Sequence, residues 1–424
     1  MQFKPKFDDV NEKISTDEFF SLLAYLDKTL AVGVEMERPI SYGRSIATAL
    51  KAPEGKQRDL SYFKRSPLNP YNIAYIYPDG SVHNNEGDGG AEIVFAGTTD
   101  TFHQIRAKLH AIEEKLDELG CDQFDESCSN HITLVTTSDK IVPDAVLKNL
   151  FQLSRAFCSG LLLFGGATST TVVRPRMGMF AATQIVKSPL GEPALQLLTT
   201  PKYSFCNMSK QAYYSVGGRS AMAGICVEFR AADGHRVPSA LAALMVLYKS
   251  IAHKAVELSL NGVVNADSIH DWDANKRACS AIIGGPAGQR AVGVEMAQDN
   301  ARALLEFIAP QLKAYGEEPT QILRKLIDEP LYIRQIGHRN KWKLIERDLS
   351  GRNHDNALSP NEVGLVDIVI AGNLRATSAK LYRDAVAQQM NLSVRMVEYL
   401  MQKIREKTGK DLIFDEEMQR YTIR

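Results

Sequence analysis

The strongest constraint on the fold comes from two short stretches, residues 32–39 and 224–230, in which apolar and charged side chains alternate. Successive side chains of a β-strand point to opposite faces of its sheet. Each stretch therefore predicts a strand with one apolar face and one charged face. The charged members are Glu35 and Glu37 in the first stretch and Glu228 and Arg230 in the second.

The residues around these carboxylates are apolar, which predicts that both strands are buried. A buried carboxylate stays ionised only where cations, hydrogen-bond donors or metal ions compensate its charge. Mg²⁺ prefers carboxylate oxygens and is commonly shared between protein carboxylates and the phosphates of a nucleotide. Arg230, two residues from Glu228, could then hold a transferring phosphoryl group. The two strands together predict a metal-dependent site that handles phosphate.

Four short blocks, each weak by itself, follow one another in an order typical of a known family. They are Gly33-Val-Glu35-Met-Glu37, Asp79-Gly-Ser81 with the later Glu92-Ile-Val-Phe95, Cys128-Ser-Asn-His131-Ile-Thr133-Leu134, and Asn207 with Val227-Glu228-Phe-Arg230. As an ordered set, the blocks resemble the carboxylate-amine ligases with the glutamine synthetase and glutamate-cysteine ligase fold, and the amidoligases in particular. The resemblance covers residues 33–230.

The resemblance implies an α+β fold in which a curved antiparallel sheet carries helices on its outer face and charged residues on its concave side. It also implies two or three divalent ions, bound by Glu35, Glu37, Glu92, His131 and Glu228. The cofactors would be ATP and Mg²⁺, with Mn²⁺ as the alternative ion. Glu228 and Arg230 would be catalytic, and Arg230 would stabilise charge on the transferring group. The chain departs from the family at Thr133, which stands where the family has the second histidine of a His-x-His pair.

Other side chains are candidates for substrate or metal binding. Arg176 lies close to a second arginine and a glycine, and a guanidinium can clamp a substrate carboxylate; an ordinary surface role is the alternative. Asn207 lies in a segment that resembles the family's approach to its last site strand, which implies that it orients substrate or phosphate. Asp79 or Asp88 could supplement the metal ligands, although Asp-Gly is also ordinary turn chemistry.

The whole chain sets further limits. Its 424 residues exceed one compact core, and they predict a catalytic domain at 1–336, a linker at 337–356 and a small domain at 357–424. Lys plus Arg equals Asp plus Glu at 50 each, so no global field attracts nucleic acid or an anionic membrane. The six cysteines have no paired metal spacing and are expected to be reduced core residues. Without a leader peptide or a membrane span, we expect a cytoplasmic protein with no membrane partner.

The C-terminal domain is similar to a winged helix-turn-helix, with three expected helices and a hairpin. Its third helix, which begins at Val394, has a local excess of basic side chains that suits DNA phosphates. These side chains are Arg395, Lys403, Arg405 and Lys407. Residues 352–424 as a whole contain 11 basic and 10 acidic side chains, which is low for a DNA-binding module. Contact with a protein and contact with DNA therefore stay equal alternatives.

Three local expectations concern segments near the site. The apolar run at residues 161–166 predicts a buried strand ended by glycine. A helix over residues 99–119 is expected to be capped at Thr99 or Asp100. The polar residues 41–70 predict a long mobile loop, which is either a solvated connection or a lid over a substrate.

These observations lead to one main functional hypothesis and two rivals. The main hypothesis is an ATP- and Mg²⁺-dependent ligase that joins a carboxylate to an amine, as an amide or isopeptide bond, through an acyl phosphate. Its substrates would be small molecules or peptides. The first rival is a transcriptional regulator in which a degenerate ligase domain senses a ligand. The second rival combines the two, with the winged helix delivering the ligase to a macromolecular substrate such as a protein or a nucleic acid.

Overall fold

The structure is a computed structural model of the 424-residue chain. It describes residues 4–39, 44–52, 71–79, 90–120, 128–137, 140–166, 184–187, 196–199, 206–207, 224–284, 287–331, 342–350, 365, 368–369, 374–390, 392–408 and 412–423.

The described strands are all paired antiparallel. They are β1 (Phe7–Asp9), β2 (Ala31–Arg38), β3 (Ile73–Asp79), β4 (Gly90–Thr98), β5 (Ser129–Val135), β6 (Gln184–Lys187), β7 (Gln196–Thr199), β8 (Cys206–Asn207), β9 (Cys226–Asp233), β10 (Val263–Val264), β11 (Leu412–Asp415) and β12 (Arg420–Ile423). Six of them form one sheet in the order β3-β4-β2-β5-β9-β8. The remaining strands form two-stranded sheets that pair β1 with β10, β6 with β7 and β11 with β12.

Helices supply the rest of the regular structure. They are α1 (Thr16–Thr29), α2 (Arg44–Ala49), α3 (Phe102–Glu118), α4 (Asp144–Ala156), α5 (Cys158–Phe164), α6 (Pro238–Ser259), α7 (Ala266–Ile269), α8 (Trp272–Gly284), α9 (Ala287–Phe307), α10 (Ala309–Lys313), α11 (Glu317–Asp328), α12 (Trp342–Ser350), α13 (Ala379–Met390) and α14 (Val394–Thr408). Together with the six-stranded sheet, they establish the expected α+β class.

The two strands with alternating side chains form as the sequence predicts. Both lie in the middle of the six-stranded sheet, where β5 separates them. Their apolar members, among them Val34, Met36 and Phe229, belong to the main hydrophobic core. The helix α6 packs against β2 and β5 from that side and is buried along almost its whole length. The opposite face of these strands is left to the charged residues, because side chains alternate along each strand.

Helix starts follow their capping residues. Ser15 caps α1, and its hydroxyl and the Glu18 carboxylate bind each other's backbone N–H groups. The expected cap of α3 at Thr99 or Asp100 is wrong, because Thr101 and Gln104 form the reciprocal pair that starts this helix. The Asp100 carboxylate instead binds Lys108 Nζ at 2.5 Å.

The apolar run at residues 161–166 is not a strand, and that prediction is wrong. Residues 158–164 form helix α5, and Gly165 caps it. Phe157, with φ −116°, separates α5 from α4. Every residue of α5 is buried, so its sequence is apolar all round and shows no amphipathic period. A short run of this kind fits a buried helix as well as a buried strand.

The described residues form two hydrophobic clusters, and one of them includes part of the predicted linker. The main core includes Trp342, Ile345 and Leu349 of α12, a helix that lies within the predicted linker of residues 337–356. A second core joins α13, α14 and the β11–β12 hairpin. The winged-helix assignment of this region stays a prediction. The first expected helix of that domain falls mostly outside the described residues. The domain boundaries stay a prediction. The helix α12 packs against the main core rather than lying free between two domains.

Five cysteines lie in the described part of the chain. All five are buried and free of disulfides, in line with the expected reduced core residues: Cys128, Cys158, Cys206, Cys226 and Cys279. Cys121 lies outside the described residues. No helix in the described ranges is long and apolar enough to cross a bilayer.

Candidate metal and phosphate site

The register of the sheet brings the predicted site residues together. Glu35 of β2 lies directly opposite His131 of β5. Thr133, two residues further along β5, lies opposite Glu228 of β9. On the other side of β2, Glu37 lies opposite Glu92 of β4. Cross-strand partners share a face of the sheet, so one face collects these side chains. We call this the site face.

Three side chains on the site face form a compact group of ligand atoms. One atom each from Glu35, His131 and Glu228 lies within 4.8 Å of the other two. The Nδ1 atom of His131 is 3.6 Å from Oε2 of Glu35. Carboxylate oxygens and an imidazole nitrogen at these separations match the ligands that divalent cations bind in proteins.

The ring of His131 is held by a hydrogen-bond chain on its far side. Its Nε2 atom is 2.7 Å from the Ser129 hydroxyl, and that hydroxyl is 2.6 Å from Oε2 of Glu37. An ionised carboxylate can only accept, so the hydroxyl donates to Glu37 and accepts a hydrogen bond from the Nε2–H group. This arrangement leaves Nδ1 to carry the lone pair of the neutral ring. A metal-binding histidine is commonly oriented through its second nitrogen in this way.

The inner nitrogen of His131 has no hydrogen-bond partner among the described residues. Nδ1 is buried and faces the carboxylate of Glu35. A lone pair next to a carboxylate oxygen is unfavourable unless a cation or a proton lies between them. The residues present therefore fit a divalent cation, for which Glu35, His131 and Glu228 would be ligands.

Glu37 and Glu92, the other two predicted ligands, lie next to this group rather than in it. Glu92 accepts a short hydrogen bond from the Tyr77 hydroxyl. Burial raises the pKa of Tyr77, and the nearby carboxylates of Glu92 and Glu35 raise it further, so the hydroxyl stays protonated and donates. Glu37 accepts from Ser129. Their role as metal ligands stays a prediction.

Two predicted residues bind the third carboxylate of the group. The amide of Asn207 donates to Oε2 of Glu228 at 2.6 Å, and Arg230 Nη1 is 3.4 Å from the same oxygen. Glu228 is almost fully buried, whereas the Arg230 side chain keeps 17% of its surface exposed. Arg230 is thus placed between the buried carboxylate and the open side of the site, where it can contact an anionic ligand.

Other predictions lie at the margin of the described structure. Arg176 and Asp88 are outside the described residues, as are residues 53–70 of the expected loop. Residues 41–43 of that loop also lie outside the described residues, and Arg44–Ala49 within it forms the helix α2. Asp79 ends β3, is half-buried and lies outside the three-residue group.

Sequence reasoning assigned no site role to three polar side chains on the site face. Ser129 and Thr133 flank His131 at a spacing of two residues, which is the signal that they share its face. Tyr77 carries no such signal by itself, because its place opposite Glu92 depends on strand pairing. The hydroxyl of Thr133 is buried and unbonded among the described residues.

The basic residues of the C-terminal domain lie on α14. Arg395 and Arg405 are exposed, and Lys403 Nζ lies 5.7 Å from the ring centroid of Tyr399. The side chain of Lys407 is outside the described part of the chain. Contact of this helix with DNA or protein stays a prediction.

Comparisons with known proteins add little. No protein-family model and no curated protein matches the chain. Among solved structures, it is similar to the crystal structure of the complex between the prokaryotic ubiquitin-like protein Pup and its ligase PafA. The match covers 93% of this chain and 86% of that chain, at 11% sequence identity and a TM-score of 0.28. A score this low does not establish a common fold, so the candidate site stands on its own geometry.

Proposed function

We propose that the chain is an ATP- and divalent-metal-dependent ligase that joins a carboxylate to an amine. The observation that carries the proposal is the group of Glu35, His131 and Glu228 on the site face, where their ligand atoms lie within 4.8 Å of one another. Glu37 and Glu92 add two more buried carboxylates beside it. This excess of buried acid suits the binding of Mg²⁺ and, through it, of nucleotide phosphates.

A bound divalent ion would supply charge that offsets the phosphates of ATP and the charge developing on the transferred group. The chain's own residues would hold and orient it. Glu35 and Glu228 would bind it through carboxylate oxygens and His131 through Nδ1. Ser129 and Glu37 would keep the histidine in the required tautomer. Arg230, which is partly exposed beside the buried Glu228, would contact the transferring phosphoryl group.

The proposed reaction has two steps. A substrate carboxylate oxygen attacks the γ-phosphorus of ATP, which forms an acyl phosphate and releases ADP. The amine nitrogen then attacks the acyl carbon, which forms the amide and releases phosphate and the amine proton. The acidic site face would attract an ammonium group toward the acyl carbon, because opposite charges attract strongly in a site of low dielectric. Arg176 remains our candidate for binding a substrate carboxylate.

The exposed arginines of α14 favour a second candidate, in which the C-terminal domain delivers the ligase to a macromolecule. Arg395 and Arg405 are solvent-exposed on one helix, and no ion pair of Arg395 occurs among the described residues. Exposed guanidinium groups can contact nucleic-acid phosphates or an acidic protein surface. A regulator with an inactive ligase domain would use the same helix.

The experiment is phosphate release from Mg²⁺-ATP by the full chain with pooled amino acids and amines. Release that the pool stimulates and that Glu228→Gln and Arg230→Ala each reduce at least about a hundredfold is the expected result. Asp299→Asn, on the exposed surface, is the control and leaves the rate unchanged. Release that is indifferent to both site variants, or a chain that binds no Mg²⁺-ATP, would contradict the ligase. DNA binding in the same preparation would then favour the regulator.

A further inference from the structure

Thr133 presents a buried hydroxyl that makes no hydrogen bond within the described structure. The residue is 6% exposed, and its Oγ1 atom has no partner among the described residues. Buried hydroxyls almost always find a partner, so an unbonded one calls for an explanation. A ligand that binds the hydroxyl is one such explanation.

The position of Thr133 supports that explanation. It lies directly between Gly33 of β2 and Glu228 of β9, and on its own strand it is two residues from His131. Thr133 Oγ1 and His131 Nδ1 are both buried without a hydrogen-bond partner in the described structure. Two unbonded polar atoms thus lie on the same face of one strand, flanked by the carboxylates of Glu35 and Glu228.

The strand β2 contributes no side chain next to Thr133. Its β2 partner is Gly33, which has no side chain, and a Cβ atom there would lie 2.9 Å from the backbone oxygen of Phe95. Any other residue at this position would therefore clash with β4. The row across the strands at Thr133 therefore contains Gly33, the threonine hydroxyl and the Glu228 carboxylate, and it lies beside the row of Glu35 and His131.

The chemistry of the hydroxyl indicates what it would bind. The neighbouring acids are acceptors, and the threonine hydroxyl is a neutral donor among them. An anion drawn in by a divalent cation would bring oxygen atoms that accept from it, and hydrogen bonds to charged oxygens are the stronger kind. We propose that the Thr133 hydroxyl donates a hydrogen bond to a phosphate oxygen of the metal-bound nucleotide. This inference rests on the proposed function.

Thr136, at the end of the same strand, provides a matched contrast. Its hydroxyl oxygen accepts from Tyr25 at 3.0 Å and from the Ile225 N–H at 2.8 Å, and it donates to the Thr137 carbonyl at 3.2 Å. Both threonines are buried. Thr136 is satisfied by the protein, whereas Thr133 is not, so the same substitution should have opposite effects at the two positions.

The test compares Thr133→Val, Thr133→Ser and Thr136→Val in the full chain. Three quantities are measured: the Tm of metal-free protein, the affinity for Mn²⁺ alone by electron paramagnetic resonance, and the affinity for AMP-PNP at saturating Mn²⁺ by calorimetry. For Thr133→Val we expect an unchanged or higher Tm, Mn²⁺ affinity within about twofold of the parent, and AMP-PNP affinity reduced roughly tenfold or more. Thr133→Ser keeps the hydroxyl and should match the parent. Thr136→Val should lower Tm and leave AMP-PNP affinity unchanged.

Three outcomes would overturn the inference while the proposed function stands. The first is parental AMP-PNP affinity in Thr133→Val. The second is a drop in its Tm as large as that of Thr136→Val. The third is a loss of Mn²⁺ affinity as large as the loss of AMP-PNP affinity. A parent chain that binds Mn²⁺ but no AMP-PNP would instead refute the proposed function, and the Thr133 inference would fall with it.

Discussion

Two buried clusters of charge lie close to the same strands, and they are built in opposite ways. On the site face, Glu35, Glu37, Glu92 and Glu228 accompany His131 and Arg230. The second cluster surrounds Glu113 of α3, and we call it the arginine cluster. There Arg38 Nη2 is 2.6 Å from Oε1 of Glu113, and Arg236 Nε is 2.5 Å from Oε2. Arg236 Nη2 also binds Asp117 Oδ1 at 2.6 Å.

The difference lies in the balance of charge. In the arginine cluster, two guanidinium groups match two carboxylates, and each oxygen of Glu113 has its own cation. Burial would raise the pKa of Glu113, but Arg38 and Arg236 outweigh it, so the pKa is lowered and the carboxylate stays charged. On the site face, the described carboxylates outnumber the described cations. A balanced cluster can hold a fold by itself, whereas an excess of acid among the described groups favours the binding of a cation.

The arginine cluster also connects the site to distant parts of the chain. Arg38 directly follows Glu37 in β2, and its Nη1 binds the Asn130 side chain at 3.2 Å, next to His131. Trp342 Nε1 of α12 donates to Asp117 Oδ2 at 3.2 Å. The cluster therefore fixes the two strands that carry Glu35 and His131 and also anchors the helix α12.

The largest predicted effect comes from breaking this balanced cluster. Glu113→Ala leaves two buried arginines without their shared carboxylate, and we expect it to reduce the free energy of unfolding by about 3–5 kcal/mol. Urea denaturation of metal-free protein measures this. Glu228→Gln is the matched comparison, and it should leave that free energy unchanged or raise it because the excess of acid falls. If both variants lose the same stability, the contrast between the clusters is false.

A smaller effect is expected from pH, through His235 beside the arginine cluster. Burial lowers the pKa of His235 to about 3, and Arg38 contributes to the shift. Below the unfolded pKa of about 6.5, the unfolded chain gains a proton that the folded chain refuses. The contribution of His235 to the free energy of unfolding is therefore fully present above pH 6.5. It falls as the pH drops toward 3, by up to about 1.4 kcal/mol per pH unit.

Measurements between pH 6.5 and pH 5 separate this effect from that of Glu113. Protonation of Glu113, whose pKa is lowered in the folded chain, reduces stability only below its unfolded pKa of about 4.3. Denaturation at pH 7.5 and pH 5 is compared in the parent and in His235→Gln, which keeps an acceptor for the Val237 N–H. Burial also lowers the pKa of His253, so both proteins should lose some stability in acid. The parent should lose more. Equal losses would show that His235 is not buried in its neutral form.

The sequence was informative where a local period carried the signal. The alternation around Glu35 and Glu228 correctly predicts which face of each strand is apolar, because a period of two needs no knowledge of the partner strand. The sequence could not predict the register of the sheet, because the pairing of Glu35 with His131 joins residues that lie far apart in the chain. Arg38 and Glu113 are 75 residues apart, and no motif links them.

Segments without a period were the harder cases. Helix α5 is buried on all sides, so residues 161–166 carry no pattern that separates a helix from a strand. The reverse holds for α12, whose polar surroundings at residues 337–356 resemble a linker although Trp342, Ile345 and Leu349 are buried. Composition reports an average over such a stretch, whereas three buried side chains are enough to dock a helix.

The central claim is that the site face holds a divalent cation, and direct Mn²⁺ binding tests it most simply. Electron paramagnetic resonance of Mn²⁺ mixed with the metal-free full chain counts bound ions and gives their affinity. We predict at least one bound ion in the parent, none at that site in Glu228→Gln, and a roughly 10–100-fold weaker site in Ser129→Ala, which loses the hydrogen bond that orients His131. Parental chain that binds no Mn²⁺, or equal binding in the parent and Glu228→Gln, would contradict it.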